Sequence, residues 1–196
     1  MNISELINFG SNLLKENKIK SHILDAEILL SKTLNKSRED ILINFDQTIN
    51  EKHMINYRDF LERRIKKEPI AYIIEEKEFW SKKFYVNKNT LIPRPETELI
   101  VDKLLKIFNG RKISILDVGT GSGCIILSLL SNMKYASGIG IDVSKSAISI
   151  AKKNGYKFDL QNRLKFMNTS FQRLCNKKFD LIVSNPPYIE KKDIKN

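Results

Sequence analysis

The chain is poor in the residues that build metal centres and covalent staples. It has 196 residues, of which two are cysteines, Cys124 and Cys175, and two are histidines, His22 and His53. Neither cysteine stands in a CxxC or Cys/His spacing, so a metal site is not expected. No apolar run approaches the ~18 residues that a membrane span needs, and a membrane partner is not expected either. The first residues, MNISELINFGSNLLKE, carry Glu5 early and no basic stretch ahead of an apolar core. They do not read as a signal peptide, and the expected address is the cytoplasm. Proline and glycine are also scarce, at five and eight residues, so their positions are informative. Two prolines are adjacent at 186 and 187, and three glycines alternate between 119 and 123.

What the chain has in excess is positive charge. Hydrophobic residues make up 41% and charged residues 29%, a globular composition. The net charge is +11 and the isoelectric point is near 9.6. Basic residues run from Lys15 to Lys195 without a long block or an aromatic-interleaved stripe. Scattered lysines on solvated faces explain this better than a nucleic-acid surface does, while steering towards an RNA-rich target stays open.

Residues 2–67 read as helical. Asn2 with Glu5 forms a capping-box pattern, and Ile3, Leu6 and Leu13 keep one face apolar. Ile23, Ala26, Leu30 and Leu34 make a second stripe that Asn35 can end. Ser37 with Asp40 starts a short helix through Leu42. Met54, Tyr57, Leu61 and Ile65 make a further stripe, which Pro69 stops. Both histidines are expected on exposed or partly buried helix surface. Residues 1–68 are expected to form a helical, substrate-orienting domain, and residues 69–92 a β-hairpin linker. In that linker Tyr72, Ile73, Ile74, Phe79, Trp80, Phe84, Tyr85 and Val86 favour strands, with the turn at Ser81-Lys82-Lys83. Pro95 then opens a helix whose buried face is Ile100, Leu104 and Phe108, closed by Gly110.

From residue 113 strands and helices alternate. Strands are expected at Ile113–Asp117, Ser137–Asp142, Leu164–Met167 and Phe179–Ser184, with helices at Gly123–Leu130 and from Ser144 to Asn154. That pattern describes an α/β fold with a doubly wound parallel sheet, whose ligands sit beyond the strand C-termini. The first strand leads into Gly119-Thr120-Gly121-Ser122-Gly123. A dinucleotide fingerprint needs a glycine where Cys124 stands, and a phosphate loop needs a Gly-Lys-Ser/Thr that is absent. Asp117-x-Gly119-x-Gly121-x-Gly123 instead resembles the class I S-adenosylmethionine-dependent methyltransferases, with Asp142 at the end of the next strand placed to accept from ribose hydroxyls. Asp117 serves the cofactor's amino-acid part or braces the turn. Cys124 reads as a small buried apolar residue rather than a nucleophile.

Asn185-Pro186-Pro187-Tyr188 follows the fourth strand. A carboxamide or aromatic amine nitrogen is a poor nucleophile because its lone pair is delocalised. The Asn185 side-chain oxygen and a proline carbonyl can grip its two N–H groups and absorb charge as a methyl group arrives. Tyr188 can pack on the planar group. Asn185, Pro186 and Tyr188 are therefore the expected catalytic residues, with Pro187 beside them in the substrate site.

DAEILL, EPIAYI, EFW, TLIPRPETE, DVGTGSG and NPPYI together resemble the release-factor glutamine methyltransferases of the HemK/PrmC type over nearly the whole length. NPPY alone is shared with adenine-N6 DNA methyltransferases. The resemblance implies a helical N-terminal domain and hairpin, then the first half of a Rossmann-like methyltransferase sheet over residues 93–196. It implies methylation, from S-adenosylmethionine, of the glutamine amide in the Gly-Gly-Gln loop of peptide-chain release factors, by a monomer. It places the cofactor on Gly119, Thr120, Gly121, Ser122, Gly123, Asp142, Phe171 and Asn185, and lets Arg94 and Glu98 shape the acceptor pocket. Two departures stand out. Ser170-Phe171 replaces the family's Asp-Trp near the adenine, and the family's domain continues through strands beyond Asn196. The alternatives are an adenine-N6 nucleic-acid methyltransferase and an inactive truncated remnant.

Overall fold

The computed structural model describes residues 1–174 and 177–186. They fall into two compact units, Met1–Glu75 and the residues from Glu76 onward.

The first unit is helical: α1 (Ile3–Glu16), α2 (His22–Leu34), α3 (Arg38–Ile43), α4 (Glu51–Ile65) and a single turn, α5 (Ile70–Ile73). Local side chains define the starts. Asn2 and Glu5 form a reciprocal capping box, as do Ser37 and Asp40, and Asn50 accepts from the His53 N–H. Asn35 ends α2 in the left-handed region. The core gathers Ile3, Leu6, Leu14, Leu29, Leu30, Ile41, Tyr57 and Leu61. Two expectations change, and one buried feature was not expected at all. Ile23 is 56% exposed, because α2 buries Ala26, Leu29 and Leu30 instead. The buried face of α2 also admits Asp25 and Glu27, which meet Arg64 at 2.7 Å and Arg38 at 2.6 Å. Tyr72 and Ile73, read as strand, lie in α5, where Pro69 starts a helical turn after α4 has already ended.

The second unit opens with an antiparallel hairpin, β1 (Glu76–Phe79) and β2 (Lys82–Tyr85). Its two-residue turn is Trp80-Ser81, both at positive φ, as a type I′ turn requires. The expected turn at Ser81-Lys82-Lys83 is thus displaced, because Phe79 pairs with Lys82 and leaves two residues between the strands. A 3-10 turn at Pro95–Thr97 leads into α6 (Glu98–Phe108). Here Val101 is fully buried, while Ile100, Leu104 and Phe108 are half-buried.

There follow β3 (Ser114–Val118), α7 (Cys124–Asn132), β4 (Ser137–Asp142), α8 (Lys145–Lys157), β5 (Leu164–Asn168), a 3-10 turn (Phe171–Leu174) and β6 (Leu181–Ser184). The four strands are parallel in the order β5-β4-β3-β6. β3 has its successor on one side and the last described strand on the other. That makes its C-terminal end the switch point at which ligands of open α/β sheets bind. α7 packs against β3 and β4 with Cys124 through Leu130 all buried, and α8 packs against β4, β5 and β2.

Candidate active site

Strand register brings the expected residues to one level. Val118 pairs with Ile141 on one side and with Ser184 on the other. The next residue along each strand is therefore Gly119, Asp142 and Asn185 respectively, three positions distant in sequence. One strand spacing, about 4.8 Å, separates neighbours in such a row. Asn168 pairs with Asp142 and extends the row.

The glycine turn is shaped by what it excludes. Gly119, Gly121 and Gly123 have φ of +70°, +55° and +81°, values that an L side chain adopts with strain. A Cβ at Gly119 would meet nothing within 4 Å, so the space over the turn is open. Three of the turn's N–H groups are engaged within the protein. Thr120 donates to Ile141 O (2.9 Å), Gly121 to Asp142 Oδ2 (3.0 Å) and Gly123 to Thr120 O (2.8 Å). These three do not face a ligand. Asp142 is held from both sides, since its Oδ1 accepts from the Ser144 N–H at 2.9 Å. Each of its oxygens keeps a second lone pair for another donor.

Asp117 is 1% exposed. Its Oδ2 accepts from the Thr120 hydroxyl at 2.7 Å, which braces the turn. Its Oδ1 and the Ser122 hydroxyl are buried without a hydrogen bond of ordinary geometry. Burial pushes the Asp117 carboxyl up to about 6; the Thr120 hydroxyl and the Ile126 backbone pull it back, and Asp142 adds to the rise. Cys124 is buried, and desolvation pushes its thiol up to about 12, with the Asp117 charge as the second cause. A thiol so placed is no nucleophile at neutral pH.

On the other side of β3, Ser184 Oγ donates to Val118 O at 2.9 Å and closes the strand end. The Asn185 carboxamide donates from Nδ2 to Thr97 Oγ1 at 3.0 Å. Pro186 is exposed. Pro187 and Tyr188 lie outside the described residues, as does Cys175. Of the Pro93–Glu98 stretch, Arg94 is exposed, while Glu98 Oε1 accepts the Trp80 backbone N–H at 3.0 Å. Glu98 thus anchors the hairpin turn, and Thr97 is the residue of this stretch whose hydrogen bond to Asn185 the described residues show.

Phe171 begins the 3-10 turn after β5 and is 50% exposed, and Ser170 is half-buried. Sequence reasoning passed over Val143, an apolar residue 77% exposed directly after Asp142. Its signal was an aliphatic side chain between Asp142 and the helix cap Ser144. It also passed over Asn168, whose Nδ2 donates to the carbonyls of Asp142 and Val143, both at 2.9 Å, and so holds that loop. Among the described residues, no group of three or more His, Cys, Asp or Glu is placed to hold a metal ion, and no helix is long and apolar enough to cross a membrane.

The family model for the PrmC N-terminal domain matches residues 5–74, and that for the methyltransferase small domain matches residues 95–196. A release factor glutamine methyltransferase of Buchnera aphidicola subsp. Baizongia pistaciae is 42% identical over 100% of this chain and 70% of its own length. A second, from Buchnera aphidicola subsp. Schizaphis graminum, is 47% identical over 88% of this chain and 62% of its own. A bifunctional methyltransferase of Rickettsia felis is 39% identical over 95% of this chain, and the chain spans 41% of that relative's length.

Proposed function

The chain belongs to the release factor glutamine methyltransferase family, and we propose that it methylates the side-chain amide nitrogen of the glutamine in the Gly-Gly-Gln loop of a peptide-chain release factor. The observation that carries the reading is the row Asp142, Gly119, Asn185 at the C-terminal edge of the sheet. It sets the Asn185 carboxamide on one flank of the glycine turn and the Asp142 carboxylate on the other.

The residues present fit S-adenosylmethionine. The space over Gly119 is open, Asp142 keeps lone pairs for ribose hydroxyls, and the buried Asp117 Oδ1 lacks a partner. Phe171 and Val143 offer apolar surface to a purine. The loop carries no lysine, and this cofactor has no pyrophosphate to neutralise. When bound, the cofactor supplies an electrophilic methyl group on a sulfonium.

Asn185 Oδ1 and the Pro186 carbonyl accept from the two N–H groups of the glutamine amide. Two acceptors of fixed direction hold the planar group and stabilise the positive charge that grows on its nitrogen, which sheds one of its two protons to solvent to give the neutral methylamide. Such preorganised groups contribute on the order of 10²–10³-fold each. Pro187 and Tyr188 complete the acceptor motif in sequence, Tyr188 as a surface for the planar group.

Incubation with labelled S-adenosylmethionine and either release factor or duplex DNA tests the reading. Label is expected in the release factor. Label only in DNA would favour adenine as the acceptor and overturn the proposal.

A further inference from the structure

Thr97 occupies the N-cap position of α6, where a threonine ordinarily spends its hydroxyl on an N–H of its own helix. It makes no such cap. The residue is 6% exposed, while its neighbours Pro95 and Glu96 face solvent, and its hydroxyl oxygen instead accepts from Asn185 Nδ2, 88 residues away. The backbone prepares this departure. Pro95 opens a 3-10 turn, the Thr97 N–H closes it on Arg94 O at 3.0 Å, and Glu98 is tied to the hairpin turn through Trp80. Thr97 is thereby held through its own N–H and through its anchored neighbour Glu98, and its hydroxyl meets Asn185 at the end of β6.

A carboxamide rotated by half a turn about its last bond exchanges oxygen for NH₂ with almost no change of shape. An Asn185 turned the wrong way would present donors to a substrate nitrogen that itself carries only N–H groups. We infer that Thr97 is the positioning residue of the acceptor site: its hydroxyl oxygen accepts a hydrogen bond from Asn185 Nδ2–H and thereby leaves Oδ1 turned to accept from the planar amide of the substrate. The contact also polarises the carboxamide, since an amide that donates through nitrogen is a better acceptor through oxygen. The inference rests on the proposed reaction for its consequence, but the contact itself is measurable without turnover.

The test uses the full chain with Thr97→Val, which keeps the shape and removes the hydroxyl, and Thr97→Ser, which keeps the hydroxyl. In chain labelled with ¹⁵N-asparagine, the Asn185 side-chain NH₂ pair is identified by its loss in Asn185→Ala. Its hydrogen exchange is expected to be slow in the parent and in Thr97→Ser, and at least about tenfold faster in Thr97→Val. With release factor and S-adenosylmethionine, Thr97→Val is expected to lose between about tenfold and a hundredfold in kcat at unchanged affinity for S-adenosylhomocysteine, and Thr97→Ser to restore it. Equal NH₂ exchange in parent and Thr97→Val overturns the inference, as does parental kcat in Thr97→Val. A parent chain with a protected NH₂ pair that leaves release factor unmethylated overturns the reaction and leaves the Thr97–Asn185 contact standing.

Discussion

Among the described carboxyl groups, Asp117 is the one that burial pushes furthest up from its ordinary value. An aspartate in an unfolded chain titrates near 3.9; the buried Asp117 titrates at about 6. Between those values the native state holds a proton that the unfolded state has lost. Stability therefore falls as pH rises through the window from about 4 to 6, by about 3 kcal/mol in total, and the loss is complete above it. Asp117→Asn cannot ionise and is expected to lose this component. Thermal melts of parent and variant across the window should diverge, the variant declining less. Parallel curves would mean that Asp117 is ionised at an ordinary pKa. The buried carboxyl lies beneath the glycine turn, with Oδ1 lacking a hydrogen bond of ordinary geometry.

At the scale of elements, Asn154 ties three parts of the second unit together. It is fully buried on α8, accepts the Tyr85 N–H at 2.8 Å, and donates to Tyr85 O at 3.0 Å and Ser122 O at 2.9 Å. One carboxamide thus joins the second hairpin strand, α8 and the glycine turn. Asn154→Leu keeps a side chain branched at the γ position but withdraws all three bonds from a buried place. A loss of about 2–4 kcal/mol is expected in denaturant unfolding, with weaker binding of S-adenosylhomocysteine. A loss within about 0.5 kcal/mol would show that water or another group takes over. The elements themselves were legible where local chemistry decides them. Both capping boxes, the left-handed Asn35 and the bounds of β4 at 137–142 follow from neighbours in sequence. What sequence pattern missed depends on distant partners. Asp25 and Glu27 break the apolar stripe of α2 because Arg64 and Arg38 reach them, and Trp80 turns the hairpin at positive φ while its N–H is held by Glu98. Thr97 went unnoticed for the same reason: its partner is 88 residues downstream.

Over the whole molecule, a helical unit with its own core precedes a unit built on a parallel sheet, and the two family models divide the chain in the same sense. The chemistry gathers at one edge of that sheet, where Asp142, Gly119 and Asn185 share a row. The glycine turn was legible from spacing alone. The row was not, because register between strands that lie far apart in sequence is a property of the folded sheet. The net charge of +11 leaves an acidic partner surface open as a source of steering, which salt would screen.

The most direct test of the account locates the transferred methyl group. Release factor treated with the chain and S-adenosylmethionine is digested and mapped by mass spectrometry, in parallel with Asn185→Ala. The account predicts one methyl group on the glutamine of the Gly-Gly-Gln loop with the parent chain. With Asn185→Ala that signal should fall by on the order of 10²-fold or more, while S-adenosylhomocysteine still binds. A methyl group on any other residue, or an equal yield from Asn185→Ala, would contradict it.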